Sequence, residues 1–200
     1  MKNILRFGLV LVIGLALGLL PVAAEGGITD RLYLDIGAAM PFSYSSNTLG
    51  FGMAISADVG MIFLGNPEAT EGLFVGASAH SSAGFLTLFG EEQLNIASPY
   101  LQGAGALNIY MKISSSEYLM VNTMVGVTRG FSNYDWDNNG EAINYPDELM
   151  LTISPQVGIG TQNEYGVTNE YFLGVNIMPD VTWNIVAGAR IRLGGKVLHK

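Results

Sequence analysis

His80 and Ser82 are residues whose types and spacing could support catalysis. They stand two positions apart in an alternating segment, so a β-strand would place both side chains on one face. A base beside a hydroxyl group is the minimum arrangement for an activated nucleophile. A polar histidine inside a β-barrel is the competing interpretation, and we favour it over a catalytic pair.

A second stretch, Asp135-Trp-Asp137-Asn-Asn139-Gly140, has the opening of a calcium-binding loop. Carboxylate and amide oxygens suit a hard cation, and the glycine permits a sharp turn between ligands. The match fails at position twelve, where Pro146 replaces a bidentate glutamate. We therefore favour a solvated acidic loop. The weaker hypothesis is a cation site formed by Asp135, Asp137, Asn139 and Asp147.

Composition and charge exclude several classes of function. The chain has 9 basic and 17 acidic residues, a formal net charge of −8 and no basic patch that could bind nucleic acid. It has no cysteine, so an exported form must be held together by hydrogen bonds and burial alone. No other catalytic or nucleotide-binding motif stands out. The sequence therefore predicts no cofactor and no enzymatic activity.

Residues 1–24 are typical of a signal peptide. Lys2 and Arg6 precede the apolar run Phe7–Leu20, and Val22-Ala23-Ala24 supplies the small residues that a signal peptidase accepts. The run is shorter than the roughly 20 residues of a membrane-spanning helix. We predict cleavage near Ala24, which leaves residues 25–200 as one exported domain located in the outer membrane.

The elements that must position His80 and its neighbours are strands with one apolar and one small or polar face. The segment Leu49–Met61 shows this alternation most clearly, because large apolar residues occupy every second position. Its polar face carries three glycines, Ser56 and a single Asp58. Lipid outside and a polar interior would require this pattern.

Eight such segments predict an all-β fold, a closed up-and-down antiparallel transmembrane barrel. A soluble barrel of the lipocalin type is the alternative, but its outer face should carry many more charges. The predicted strands are Asp30–Met40, Leu49–Met61, Gly72–Ala83, Ser98–Lys112, Glu117–Arg129, Asp147–Gly160, Asn169–Ile177 and Val181–Leu193.

The links between these strands predict the turns and loops. Ile113–Ser116 is short enough for a periplasmic turn, whereas 40–48, 85–97 and 130–146 are candidate outer loops. Pro155 cannot donate to a ladder hydrogen bond, so it implies a bulge or a locally open position.

Polar residues on the second face of each strand should lie in the interior of the barrel. An eight-stranded barrel is only wide enough for side chains to fill, so the buried charges should pair and plug it. The predicted interior residues are Asp58, His80, Gln102, Asn108, Tyr110, Lys112, Asn122, Gln156, Arg190 and Arg192.

The eight-strand pattern as a whole resembles the small outer-membrane barrels of the OmpA/OmpX/OmpW-like group. That resemblance implies a non-enzymatic surface-interaction or structural protein, or a narrow conduit for small solutes. The short stretch around His80 and Ser82 also resembles the His-x-Ser pair of outer-membrane lipid A 3-O-deacylases, with Glu91 or Glu92 as the candidate acidic partner.

Three functional alternatives therefore stay open: a structural or surface-interaction barrel, or a conduit; a lipid-modifying hydrolase; and a soluble periplasmic ligand-binding barrel. The expected partners are outer-membrane lipid and a surface ligand or small apolar solute, with no nucleic acid. We expect a monomer.

Overall fold

The computed structural model describes residues 31–45, 48–65, 72–89, 94–130, 149–162, 167–178 and 182–195. The predicted signal peptide and Ala24 lie outside them. Eight strands account for almost all of these residues. They are β1 (Leu32–Ser45), β2 (Thr48–Leu64), β3 (Gly72–Phe89), β4 (Leu94–Lys112), β5 (Glu117–Gly130), β6 (Leu149–Gln162), β7 (Thr168–Met178) and β8 (Thr182–Gly194).

The strands form one closed antiparallel barrel in sequence order, and β8 pairs with β1 to complete it. This confirms the predicted fold class and strand number. Closure removes both exposed edges, because every strand has a neighbour on each side. β1 begins and β8 finishes at the same rim of the barrel, which we call the terminal end. We call the other rim the opposite end.

Alternation along each strand separates the outer and inner surfaces. In β5 the side chains are exposed and buried in turn from Glu117 to Val125, so Leu119 and Val121 face outward while Met120 and Asn122 face inward. Large apolar side chains are exposed on all eight strands, and many buried side chains are polar or charged. The barrel is thus apolar outside and polar inside.

Two apolar clusters occupy the interior near the two ends. The base cluster lies towards the terminal end and consists of Tyr33, Ile62, Phe74, Tyr110, Tyr118 and Met120, with Phe172 packed against it. The upper cluster lies towards the opposite end and consists of Leu86, Met150 and Met178. Between them lies the polar interior.

The base cluster depends on glycines that leave room for its rings. A Cβ atom at Gly60 would collide with the ring of Tyr33, and one at Gly160 would collide with the ring of Tyr118. Each tyrosine therefore lies across a glycine of the adjacent strand, which places small residues next to large ones inside the narrow barrel.

Two predicted outer loops are wrong in extent. β1 continues through Pro41 to Ser45, and most of 85–97 belongs to β3 and β4, with Pro99 paired to Phe85. The third loop, 130–146, lies outside the described residues after Gly130. The short turn at Ile113–Ser116 is confirmed, and Ile113 N donates to Glu117 O at 3.0 Å.

Pro155 produces an open position and no bulge. It pairs with Thr123 of β5, and the β6–β7 pairing runs from Ile153 to Gln156 in one register without a partner for position 155. The missing N–H of proline therefore interrupts the ladder on one side only.

In the part of the chain that the structure describes, no helix is long and apolar enough to cross a membrane. The shortest strand, β7, has 11 residues. That length reaches the roughly 9–11 residues that a tilted strand needs to span a bilayer.

Candidate functional site

The polar interior is the candidate functional site, because the buried charged and polar side chains, which could bind a ligand or transfer a proton, lie there. Nine of the ten predicted interior residues are buried, and the tenth, His80, has a side chain that is 8% exposed. The structure therefore places the following residues on the inner surface: Asp58, His80, Gln102, Asn108, Tyr110, Lys112, Asn122, Gln156, Arg190 and Arg192.

His80 and Ser82 face inward but have different partners. His80 Nδ1 lies 2.9 Å from Asp58 Oδ1, its cross-strand neighbour on β2. Ser82 Oγ donates to Gln102 Oε1 at 3.3 Å. The structure thus joins the histidine to an acid and the serine to an amide.

Arg192 is the centre of the interior network. Its Nε and Nη2 donate to the two carboxylate oxygens of Asp35 at 2.8 and 2.7 Å. This is a bidentate ion pair between cross-strand partners of β8 and β1. Arg192 Nη2 also lies 2.9 Å from Tyr110 OH and 3.1 Å from Glu170 Oε1. Its Nη1 donates to Tyr118 OH at 3.4 Å, so one buried guanidinium contacts two acids and two phenols.

Arg190 and Glu170 extend the network across β7 and β8. Arg190 Nε donates to Glu170 Oε2, and Tyr118 OH donates to Glu170 Oε1. Arg190 also lies 3.9 Å from Asp58 Oδ2 and donates to the sulfur of Met120. We call Asp35, Asp58, Glu170, Arg190 and Arg192 the charged cluster.

Aromatic rings of the base cluster lie against this charged cluster. The guanidinium carbon of Arg192 lies 4.1 Å from the centre of the Tyr33 ring and 4.7 Å from that of Tyr110. Asn108 Nδ2 donates to Tyr33 OH at 2.9 Å, and Tyr110 meets Tyr118 edge to face at 5.4 Å. Cation–π contacts of this kind contribute about 2 kcal/mol when desolvated.

The charges of the cluster largely compensate one another, and Asp58 Oδ2 is its one carboxylate oxygen without a hydrogen-bond partner among the described residues. Three carboxylates face two guanidinium groups, and removing one partner of a buried ion pair costs about 3–5 kcal/mol because an uncompensated charge remains. The cross-links join β1, β2, β7 and β8. The arrangement therefore fills and ties the barrel together.

Sequence reasoning missed Asp35, Glu170 and Tyr33 as interior residues. The signal was present, since Asp35 alternates with Leu34 and Ile36, and Glu170 precedes the outward Tyr171. Each stands at a position that the apolar register of its strand assigns to the interior. Completing the inner face of β1 and β7 would have found both carboxylates.

The calcium hypothesis concerns residues that the structure does not describe. Asp135, Asp137, Asn139 and Asp147 all fall within 131–148, so that hypothesis stays a prediction, as does the role of Glu91 or Glu92. Among the described residues, no group of three or more acidic or histidine side chains could hold a metal ion.

Comparisons with known proteins give a likeness of fold. The sequence matches no protein-family model, and no curated protein matches it. The structure is similar to that of Neisserial surface protein A (NspA), with a TM-score of 0.58 and 10% identity over 81% of this chain and 96% of that one. At that identity the likeness shows the fold alone, which is that of a small eight-stranded outer-membrane barrel.

Two weaker likenesses carry no argument. The outer membrane enzyme PagL gives a TM-score of 0.42 and 12% identity over 80% of this chain and 98% of its own. A de novo designed transmembrane β-barrel gives 0.35 and 12% over 82% and 96%.

Proposed function

We propose that this protein is a non-enzymatic outer-membrane barrel that acts as a structural or surface-interaction protein through its outer rim. The observation that carries the proposal is the inversion of the barrel, with an apolar outer surface and an interior filled by paired charges. The proposed partners are outer-membrane lipid and a ligand at the cell surface. The proposed oligomeric state is a monomer.

The outer surface supports residence in lipid. Ile55 and Val59 on β2 are 70% and 61% exposed, and each of the remaining seven strands also exposes large apolar side chains. A soluble ligand-binding barrel would bury such residues around its cavity and expose charges. An exposed apolar area of this extent is rare on monomeric soluble proteins.

The filled interior argues against an open conduit. Arg190 and Arg192 on β8 reach across the barrel to Met120 on β5 and Tyr110 on β4, and base-cluster rings lie against the Arg192 guanidinium group. A path through the barrel would have to separate these buried ion pairs, and removing one partner of such a pair costs about 3–5 kcal/mol. We therefore favour a function at the rim over a conduit for small solutes.

The inward direction of His80 and Ser82 argues against a lipid-modifying hydrolase. Membrane lipid contacts the outer surface, whereas both side chains face the interior and have partners there. A general base must come within hydrogen-bond reach of the group it activates. The observed partners of His80 and Ser82 are instead Asp58 and Gln102.

Membrane residence is tested first by fractionation and gel migration. We expect the protein in the outer-membrane fraction and a mobility in unheated detergent gels that differs from that of the boiled sample. Monodisperse protein in buffer without detergent would support the soluble alternative and contradict the proposal.

The conduit and hydrolase alternatives have separate tests. Planar-bilayer recordings of the purified barrel should show no conductance steps at any voltage, and regular steps would establish an open conduit. A strain carrying Ser82→Ala should have the same lipid A acyl pattern as the parent strain. A changed pattern would establish the hydrolase.

A further inference from the structure

Four buried polar side chains form a tier in the interior on β5, β6 and β8. We call Asn122, Ser154, Gln156 and Asn184 the polar tier; all four are buried and inward-facing. Asn122 is paired directly with Gln156 across β5 and β6, and Ser154 lies one pleat along β6. Asn184 pairs with Asn176 of β7, the strand that separates β8 from β6. The tier therefore follows a continuous part of the inner wall.

The polar tier has hydrogen-bonding capacity that the protein does not use. Within the described residues, both polar atoms of the Asn122 amide lack a partner. The same holds for Ser154 Oγ, Gln156 Oε1 and Asn184 Oδ1. Buried side-chain polar atoms in proteins almost always have a protein or water partner. Such a concentration of unpaired atoms therefore indicates a bound molecule.

Along β6 the tier lies between the upper cluster and the base cluster. Met150 of the upper cluster stands at the start of β6, and Gly160 lies under the ring of Tyr118 near its end. The inward-facing residues of β6 run in the order Met150, Thr152, Ser154, Gln156, Gly158 and Gly160. The hydroxyl groups of Thr152 and Thr128 are hydrogen-bonded to each other at 2.7 Å. The unpaired atoms on β6 therefore begin at Ser154, the next inward-facing residue after Thr152.

The chemistry of the tier favours a neutral ligand that both donates and accepts hydrogen bonds. The tier has amide and hydroxyl groups and no charged side chain, so an ion bound there would be buried without a counter-charge. Unpaired Asn122 Nδ2 needs an acceptor, whereas Gln156 Oε1 and Asn184 Oδ1 need donors. Water meets both needs, and a buried water typically makes two to four such bonds.

We propose that the polar tier binds a small cluster of internal water molecules that bridges Asn122, Ser154, Gln156 and Asn184. These waters complete the side-chain hydrogen bonding of the polar tier on β5, β6 and β8, of which only β8 also carries members of the charged cluster. The inference concerns the interior alone and goes beyond the proposed role of the outer rim.

The test is nuclear magnetic resonance on the full-length protein, labelled with ¹⁵N in a deuterated background and held in lipid nanodiscs. The side-chain amide of Asn122 should show cross-peaks to water whose signs in NOESY and ROESY spectra identify long-lived bound water. Asn108 is the internal control, because its amide already donates to Tyr33 OH and Ser78 Oγ at 2.9 and 3.1 Å. Water magnetisation reaches the Asn108 amide only by exchange of those two hydroxyl protons, so its cross-peak should be weaker than that of Asn122.

Two variants separate bound water from other sources of the signal. In Ser154→Ala the cross-peak at Asn122 should persist, because that change removes the hydroxyl group that could relay magnetisation by exchange. In Asn122→Leu the water cross-peak of the Gln156 amide should disappear. Three results would each overturn the proposal: no water cross-peak at Asn122 in the unaltered protein, its loss in Ser154→Ala, or a cross-peak to a co-purified small molecule.

Discussion

The guanidinium group of Arg192 holds both carboxylate oxygens of Asp35 across the β8–β1 junction, at 2.8 and 2.7 Å. The two residues are register partners at the place where the barrel closes. Both side chains are buried, so this ion pair links barrel closure to charge compensation.

Replacing Arg192 should destabilise the barrel strongly. Arg192→Met leaves Asp35 as a buried charge without its main partner and removes one of the two guanidinium contacts of Glu170. We expect a loss of about 3–5 kcal/mol in the free energy of unfolding. Equilibrium unfolding by urea in phospholipid vesicles measures it.

The control for Arg192→Met is Glu117→Gln, which also changes a charge but at an exposed position. It should change stability by less than about 0.5 kcal/mol. The double variant Arg192→Met, Asp35→Asn should lose less than the sum of the two single variants, because the residues are coupled. Additive losses would show that the pair does not act as a unit.

A charge placed on the outer surface should reveal whether lipid surrounds the barrel. Val125 lies in the middle of β5 and is 52% exposed, whereas Met111 lies at the terminal end of β4 and is 47% exposed. Val125→Arg should cost about 2–4 kcal/mol and Met111→Arg about 0–1 kcal/mol. Unfolding in vesicles compares the two, and equal small costs would contradict a membrane environment.

Replacing a glycine by alanine should have opposite effects on stability at two strand positions, Gly160 on β6 and Gly103 on β4. Gly160→Ala would push a Cβ atom into the ring of Tyr118 and should cost about 1–3 kcal/mol, the usual range for overpacking. Gly103 has open space at the same position, so Gly103→Ala should be neutral or stabilise by up to about 1 kcal/mol. The midpoint of thermal or urea unfolding tests the pair; equal losses would refute the packing argument.

Trp183 should report lipid directly. Its side chain is 51% exposed on the outer surface of β8, and the other tryptophan, Trp136, lies outside the described residues. In a Trp136→Phe variant, brominated phospholipids should quench the remaining fluorescence, while aqueous acrylamide should quench it weakly. Strong quenching by acrylamide alone would mean that this surface faces water.

Strand number, order and facing were predictable because the alternation of apolar and small residues is a local signal. Leu49–Met61 predicted the core of β2, and the structure extends it only to Thr48 and Leu64. Strand ends were less predictable. Pro41 suggested a break, yet it lies within β1, with Val186 of β8 as its cross-strand partner. A proline within a strand removes only one donor.

The interior residues were predictable one at a time, but their partners were not. Asp58, Arg190 and Arg192 follow from alternation within single strands. The bonds from Arg192 to Asp35 and Glu170 depend on register between β8, β1 and β7, which a periodic pattern does not encode. The same limit applies to His80, which the sequence placed beside Ser82 and the structure bonds to Asp58.

Barrel closure also constrains the order of folding. β4 and β5 are joined by the turn at 113–116, so they can pair as soon as both have been synthesised. Asp35 and Arg192 are 157 positions apart, and contacts between such distant residues form slowly because the loop-closure entropy is unfavourable. Until then, β1 and β8 each present an unpaired backbone edge to which another chain could add. The two edges that close the barrel are therefore the part of the unfinished molecule most open to wrong pairing, and closure removes that risk.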